Sequence, residues 1–386
     1  MTTPQRNDKL RRTYGFDEIS LSPSLKTIDP SLCDISFKLG EYKLPTPILA
    51  SAMDSVVSPM SAGLMAKQGV LGVLNLQGLW SRYKDATARL EEIAASQDDR
   101  FVALMQKFYS EPVKEDLIAK RISEMKEAGD LVAVSSVPQE ALKLQNIIKE
   151  AGADLFFIQS TVTSTQHISA EQALDISKLC KESSIPVVVG NCASYEVALN
   201  LMETGAIGIL VGIGPGAACT SRGVLGIGIP MATCIMDCAD ARDHYLEKTG
   251  RKVTIIADGG IVTSGDICKA LACGADGVMI GSPLARAEEA PGRGFHWGMA
   301  TPSPTLPRGT RIKVGSIGSY QEIIQGPAKL DNGFHNLTGA IKTSMGTLGA
   351  RNIAEMQKTE VVIAPSILTE GKVYQHAQHL GMGGLR

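Results

Sequence analysis

Eight short apolar runs, separated by helix-periodic segments, recur along this chain between residues 48 and 280. They are Ile48–Ser51, Val70–Leu74, Leu131–Val134, Leu155–Ile158, Pro186–Val189, Ala206–Val211, Val253–Ala257 and Gly277–Ile280. Helices are predicted at Pro59–Gln68, within the charged stretch 80–128, up to Ile148, and at Ala170–Lys181, Tyr195–Thr204, Ala232–Lys248 and Gly265–Cys273. Apolar runs this short, without polar alternation, are strands covered on both faces. Alternating with helices, they form a parallel sheet with right-handed crossovers. Eight such units predict a closed (β/α)8 TIM barrel, and the 386 residues fit one barrel with additions. An open doubly wound sheet is the alternative for the same pattern. The chain is read as one domain, 1–386. It has an extended N-terminal arm (1–46, broken by Pro23, Pro30 and Pro45), an insertion at 295–340 and a C-terminal segment at 360–386.

A net charge of −2 leaves no basic field, so nucleic acid is not an expected partner. No apolar run reaches membrane-spanning length, and Met1 to Arg12 carries no apolar signal segment. A cytoplasmic protein with reduced thiols, away from membranes, is expected. Cys234 and Cys238 share a helix face, but no Cys/His pair completes a zinc set, so core packing is the expected role.

In a barrel of this kind, chemistry collects where the strands end. Those positions carry Ser51, Gln159, Gly190-Asn191, Cys219, Asp258-Gly259-Gly260 and Gly281-Ser282. After the sixth strand, Gly212-Ile213-Gly214-Pro215-Gly216 can fold its backbone groups closely around a ligand or ion. Cys219 follows, with hydroxyls on Thr220 and Ser221; a thiol held near backbone donors is a nucleophile candidate. Taken alone, the loop also fits a turn before a buried cysteine. The glycines after strands 7 and 8 suit a phosphate. Asp258 suits a ribose diol, although a helix cap or turn would also explain it. A thiol, a carboxylate and a phosphate cradle together favour a nucleotide enzyme.

Two long segments carry a family resemblance. Val211 to Pro230, VGIGPGAACTSRGVLGIGIP, resembles the cysteine loop of the IMP dehydrogenase/GMP reductase family. Ile256 to Gly281 resembles its nucleotide-binding signature. Tyr14-Gly15-Phe16-Asp17, Ser51-Ala52-Met53-Asp54, Gly190-Asn191, Glu289-Ala290-Pro291-Gly292 and Ser344-Met345-Gly346 extend the likeness over nearly the whole chain. The family's paired regulatory (CBS) module interrupts the barrel after strand 2. Fewer than sixty residues separate Leu74 from Leu131 here, so the chain resembles a short subgroup without it.

The resemblance implies roles. Cys219 would attack C2 of the purine, with Ser221 keeping the hydroxyl of the family's usual threonine. Asp258 would bind the ribose, and Gly260, Gly281 and Ser282 the 5′-phosphate. Ser51, Met53, Asn191 and Met299 would line the base. Gln159, Gly212 and Gly214 would meet NAD. Carbonyls of Gly214, Gly216 and Cys219 would hold K⁺, completed by Glu370, Gly371 and Lys372 of a neighbour in a homotetramer. IMP and XMP would be the small-molecule partners. Three positions depart from the pattern: Ala217 replaces a serine, Gln159 an aspartate and Leu210 an arginine.

The segment after Trp297 is a short, proline-stiffened flap. It lacks the acid that GMP reductase places before a glycine and the Arg-Tyr pair of IMP dehydrogenase. Arg308 stands at the acid's position, and Arg311 is the other cation there; a solvated loop arginine is the competing reading of Arg308. IMP dehydrogenase is the leading expectation. The alternatives are GMP reductase, a slow purine-nucleotide-binding regulator, and a flavin barrel using the same cradle.

Overall fold

The computed structural model describes residues 10–96, 100–129, 131–168, 174–298, 310–364 and 371–381. Eight parallel strands close into a barrel: β1 Ile48–Ala50, β2 Leu71–Asn75, β3 Ala133–Ser136, β4 Leu155–Gln159, β5 Val187–Cys192, β6 Gly208–Val211, β7 Thr254–Asp258 and β8 Gly277–Ile280. Each pairs with its sequence neighbours, and β8 returns to β1 through Val278–Ile48, Met279–Leu49 and Ile280–Ala50. This is the predicted (β/α)8 fold. Apart from the half-buried Asp258 at the end of β7, every strand residue is buried, as barrel strands lying between a packed interior and an outer helix ring must be.

The helices begin and end where local chemistry permits. Ser58 caps Pro59–Ala66 in a reciprocal bond with Ser61, and proline occupies the first turn, where its missing N–H costs nothing. Thr263 and Asp266 form the capping box of Ser264–Ala272. The long helix Met231–Thr249 stops at Gly250, which adopts the left-handed conformation. Cys234 and Cys238 lie buried on that helix. Their sulfurs face the Cys192 and Ser194 carbonyls.

The stretch read as an extended arm contains a hairpin, Phe37–Leu39 with Tyr42–Leu44. It closes the N-terminal mouth of the barrel. Phe37 packs on Gly277, Leu39 on Gly208, and the Lys38 carbonyl accepts from Thr254 Oγ1. Alternating apolar residues around Gly40-Glu41 form this element, because only their inward face has a core to join. Ile19–Leu21 pairs with Val361–Ile363 in a separate two-stranded sheet. No helix among the described residues is long and apolar enough to cross a membrane.

Candidate active site

The C-terminal ends of the strands carry many of the residues singled out from the sequence. Asp258, the last residue of β7, anchors the centre. Its Oδ2 accepts from Asn191 Nδ2 at 2.8 Å and from Gln159 Nε2 at 2.9 Å. Asn191 Nδ2 also donates to the Gly212 carbonyl at 3.0 Å, and Gln159 Nε2 reaches Asn191 Oδ1 at 3.3 Å. Burial pushes the Asp258 carboxyl up to about 6, although the two amides favour its ionised form. Gln159 Oε1 is buried without a partner. An unsatisfied buried acceptor is uncommon and suits an incoming N–H donor.

Gly212 brings the cysteine loop down onto this centre. Its φ is +142°, and a methyl there would stand 2.2 Å from the Asp258 carbonyl oxygen. No other residue type permits that approach. Pro215 then rests on Gly259 and Gly260, so the cysteine loop and the glycine cradle after β7 support each other. Leu210 is fully buried, and its side chain fills the space over Gly190. It is core, which accounts for an apolar residue at that position.

Cys219 is the exposed member of the eight cysteines, all of which are among the described residues. Its N–H donates to the Gly216 carbonyl at 2.9 Å, tightening the loop behind the sulfur. The thiol donates to Ser221 Oγ at 3.4 Å, and Ser221 is fully buried. A fixed hydroxyl therefore holds an accessible sulfur, in contrast to the buried thiols elsewhere, such as Cys268 and Cys273, which burial pushes to about 11 and 12.

On the opposite side, Ser51 and Met53 follow β1 and pack on Gly281: a methyl there would meet Met53 Sδ at 3.0 Å and Ser51 Oγ at 3.6 Å. Ser282 Oγ lies 2.9 Å from His296 Nε2. His296 was missed in the sequence. It is buried, and burial, aided by Arg286, lowers it to about 4, so the ring is neutral at physiological pH. Its Nδ1 has no partner. The available signal was the largely apolar run Phe295-His296-Trp297 just beyond Pro291-Gly292, in which His296 and Trp297 are both buried.

Met299, Arg308 and Glu370 lie outside the described residues. Gly371 and Lys372 begin an exposed helix, Lys372–Ala377, no residue of which is buried in the single chain. Arg311, considered as a second candidate beside Arg308, is engaged elsewhere. Its guanidinium donates to the Ile93 carbonyl at 2.6 Å and Ser96 Oγ at 2.9 Å, and it stacks over the Phe295 and Phe101 rings.

Residues 13–301 match the family described as IMP dehydrogenase / GMP reductase domain. The chain belongs to the IMP dehydrogenase/GMP reductase family. It is 38% identical over 364 residues to an uncharacterized oxidoreductase of Mycobacterium leprae, covering 92% of this chain and 97% of that protein. It is 29% identical over 396 residues to inosine-5′-monophosphate dehydrogenase of Cryptosporidium parvum, covering 93% and 94%. Among solved structures, an IMP dehydrogenase/GMP reductase-like protein of Corynebacterium glutamicum superposes with a TM-score of 0.87 at 36% identity, covering 92% of this chain and 95% of that one. Oxidoreductase chemistry is thus the coarse assignment. The loop that carries Cys219 is built onto Asp258 and Asn191 at Gly212.

Proposed function

We propose that this protein is an NAD-dependent IMP dehydrogenase, oxidising IMP to XMP through a covalent adduct on Cys219. The observation that carries the reading is the exposed Cys219 thiol on a loop seated over Asp258, at the same end of the barrel as Ser51, Met53, Gly281 and Ser282 after β1 and β8. The Asp258 carboxylate accepts from the ribose hydroxyls. Gly260, Gly281 and Ser282 hold the phosphate, and neutral His296 orients the Ser282 hydroxyl. Asn191, Ser51 and Met53 border the base, a role also assigned to Met299.

The Cys219 thiolate adds to C2 of the purine, forming a C–S bond, and Ser221 holds the sulfur in line. The C2–H bond then breaks, and NAD⁺, when bound, would supply the acceptor for the hydride that leaves. The unpartnered Gln159 Oε1 can accept from its carboxamide, with Gly212 and Gly214 below. Water then adds to C2, the C–S bond breaks, and the sulfur leaves as thiolate. Arg308 is the group assigned to orient that water. Carbonyl oxygens of Gly214, Gly216 and Cys219 form a neutral donor set suited to K⁺, which favours oxygen ligands without demanding a full negative charge. Glu370, Gly371 and Lys372 of a neighbouring subunit would complete it, which makes the active form a homotetramer.

The test is the rise of NADH absorbance with IMP plus NAD⁺, and the fall of NADPH absorbance with GMP plus NADPH. Turnover in the first arm alone supports the dehydrogenase. Turnover in the second alone makes the protein a GMP reductase, and binding without turnover makes it a regulator. Arg308→Ala is expected to release about one NADH per site in the first turnover and then stall with the adduct on Cys219. Stopped-flow absorbance and mass spectrometry of the quenched protein check this. Loss of the burst, or turnover at the parent rate, removes Arg308 from the hydrolytic step.

A further inference from the structure

Three buried polar side chains from separate segments form a line beside the site. Asp54, in the turn after β1, accepts from Tyr109 Oη at 2.5 Å and from the Leu79 N–H at 2.8 Å. Tyr109 Oη accepts in turn from Trp297 Nε1 at 3.0 Å. All three residues are at least nine-tenths buried. Trp297 ends the strand Phe295–Trp297, and the next residue, Gly298, lies against the cysteine loop. A methyl on Gly298 would stand 3.5 Å from the Ala218 carbonyl oxygen and 3.9 Å from Ala218 Cβ. Ala218 immediately precedes Cys219.

The other side of this small sheet is held from the same direction. Trp297 pairs with Arg311, whose guanidinium is bound by the Ile93 and Ala94 carbonyls. Ile93 and Ala94 lie in the helix Ala86–Ala95, and Tyr109 ends the helix Phe101–Tyr109. Both helices belong to the excursion between β2 and β3. Closing the barrel does not require these bonds, and they leave Asp54 Oδ1 buried without a partner. Burial pushes that carboxyl up to about 6. Such a group lowers stability, and polar networks of this kind persist where they fix a geometry.

We propose that Tyr109 is a positioning residue for Cys219, acting through Trp297 and Gly298 on the backbone at Ala218. This rests on the reading of Cys219 as the reacting thiol. Two variants separate positioning from plain support. Tyr109→Phe keeps the ring and removes the hydroxyl that joins Asp54 to Trp297. Asp54→Asn keeps an oxygen that accepts from Tyr109 and the Leu79 N–H, so the line stays joined.

The first readout is the rate of Cys219 alkylation by iodoacetamide in nucleotide-free protein, followed by peptide mass spectrometry. The second is steady-state kcat and KM with IMP and NAD⁺. Tyr109→Phe is expected to change the alkylation rate about threefold or more. It should lower kcat roughly tenfold while the nucleotide KM stays within about twofold, because a displaced nucleophile costs rate more than binding. Asp54→Asn should stay close to the parent in both. A Tyr109→Phe protein matching the parent in alkylation and kcat overturns the proposal. So does an effect that merely follows the unfolded fraction in a thermal melt. If the parent turns over no purine nucleotide, the functional reading falls while the alkylation arm still decides the positioning role.

Discussion

Replacing Cys219 by serine is expected to abolish turnover, by roughly a thousandfold or more, while IMP affinity stays within a few-fold. The sulfur is exposed and held by Ser221, and the groups assigned to ribose and phosphate lie on other strands. Serine preserves the loop, because the N–H of residue 219 still closes on Gly216. An alcohol ionises far less readily than a thiol, so the addition to C2 loses its nucleophile. NADH absorbance measures the rate, calorimetry the affinity. Mass spectrometry of quenched parent protein should show an adduct on Cys219 that the variant lacks. Activity in the variant comparable to the parent's would overturn the covalent route.

The second large effect runs in opposite directions for binding and stability. Asp258→Asn removes one charged acceptor from the proposed ribose site, and IMP affinity should fall roughly tenfold to a hundredfold. The same change should stabilise the fold at neutral pH. Asp258 titrates near 6 in the folded chain, above the ordinary 3.8, so the folded state holds this proton more tightly than the unfolded state does. The stability that this proton confers is complete below about pH 4 and is lost as pH rises to about 6. The difference between 3.8 and about 6 corresponds to about 3 kcal/mol, taken as a ceiling because the site is only partly shielded from water. Asparagine avoids that loss and can still accept from the Asn191 and Gln159 amides. Thermal unfolding should therefore show a higher midpoint than the parent at pH 7.5, with the gap shrinking as pH falls below about 6 and closing below about pH 4. Unchanged IMP affinity would remove Asp258 from the substrate site, and an unchanged midpoint at pH 7.5 would remove the strain ascribed to its burial.

Asp54 and Asp258 make an instructive pair. Both are held up to about 6 by burial, yet they do so in different settings. Asp258 lines the open end of the barrel, half-buried beside an unpartnered amide oxygen. Asp54 is closed in by Tyr109, Leu79 and Trp80. Only the first is placed to meet a ligand directly.

What the sequence determined by itself was local or periodic. Strand burial on both faces shows in runs such as Ala206 to Val211, and eight repetitions leave few closed topologies, so the barrel was legible. Because barrel chemistry sits at the strand ends, the same reading singled out Ser51, Gln159, Asn191, Cys219, Asp258, Gly281 and Ser282 as candidates. The Gly212 loop was legible for a related reason: glycines at alternate positions announce a close backbone approach, and the structure shows what is approached, the Asp258 carbonyl. The tertiary structure alone decided which side chains are joined. Gln159, expected to meet a cofactor, also donates its amide N–H to Asp258, 99 residues away. Tyr109 reaches Asp54 across 55 residues and Trp297 across 188, and Arg311 leaves the flap to bind a helix end. No periodicity encodes such pairs, because they depend on how separate loops are folded over one rim, and each partner taken alone is an ordinary buried polar residue.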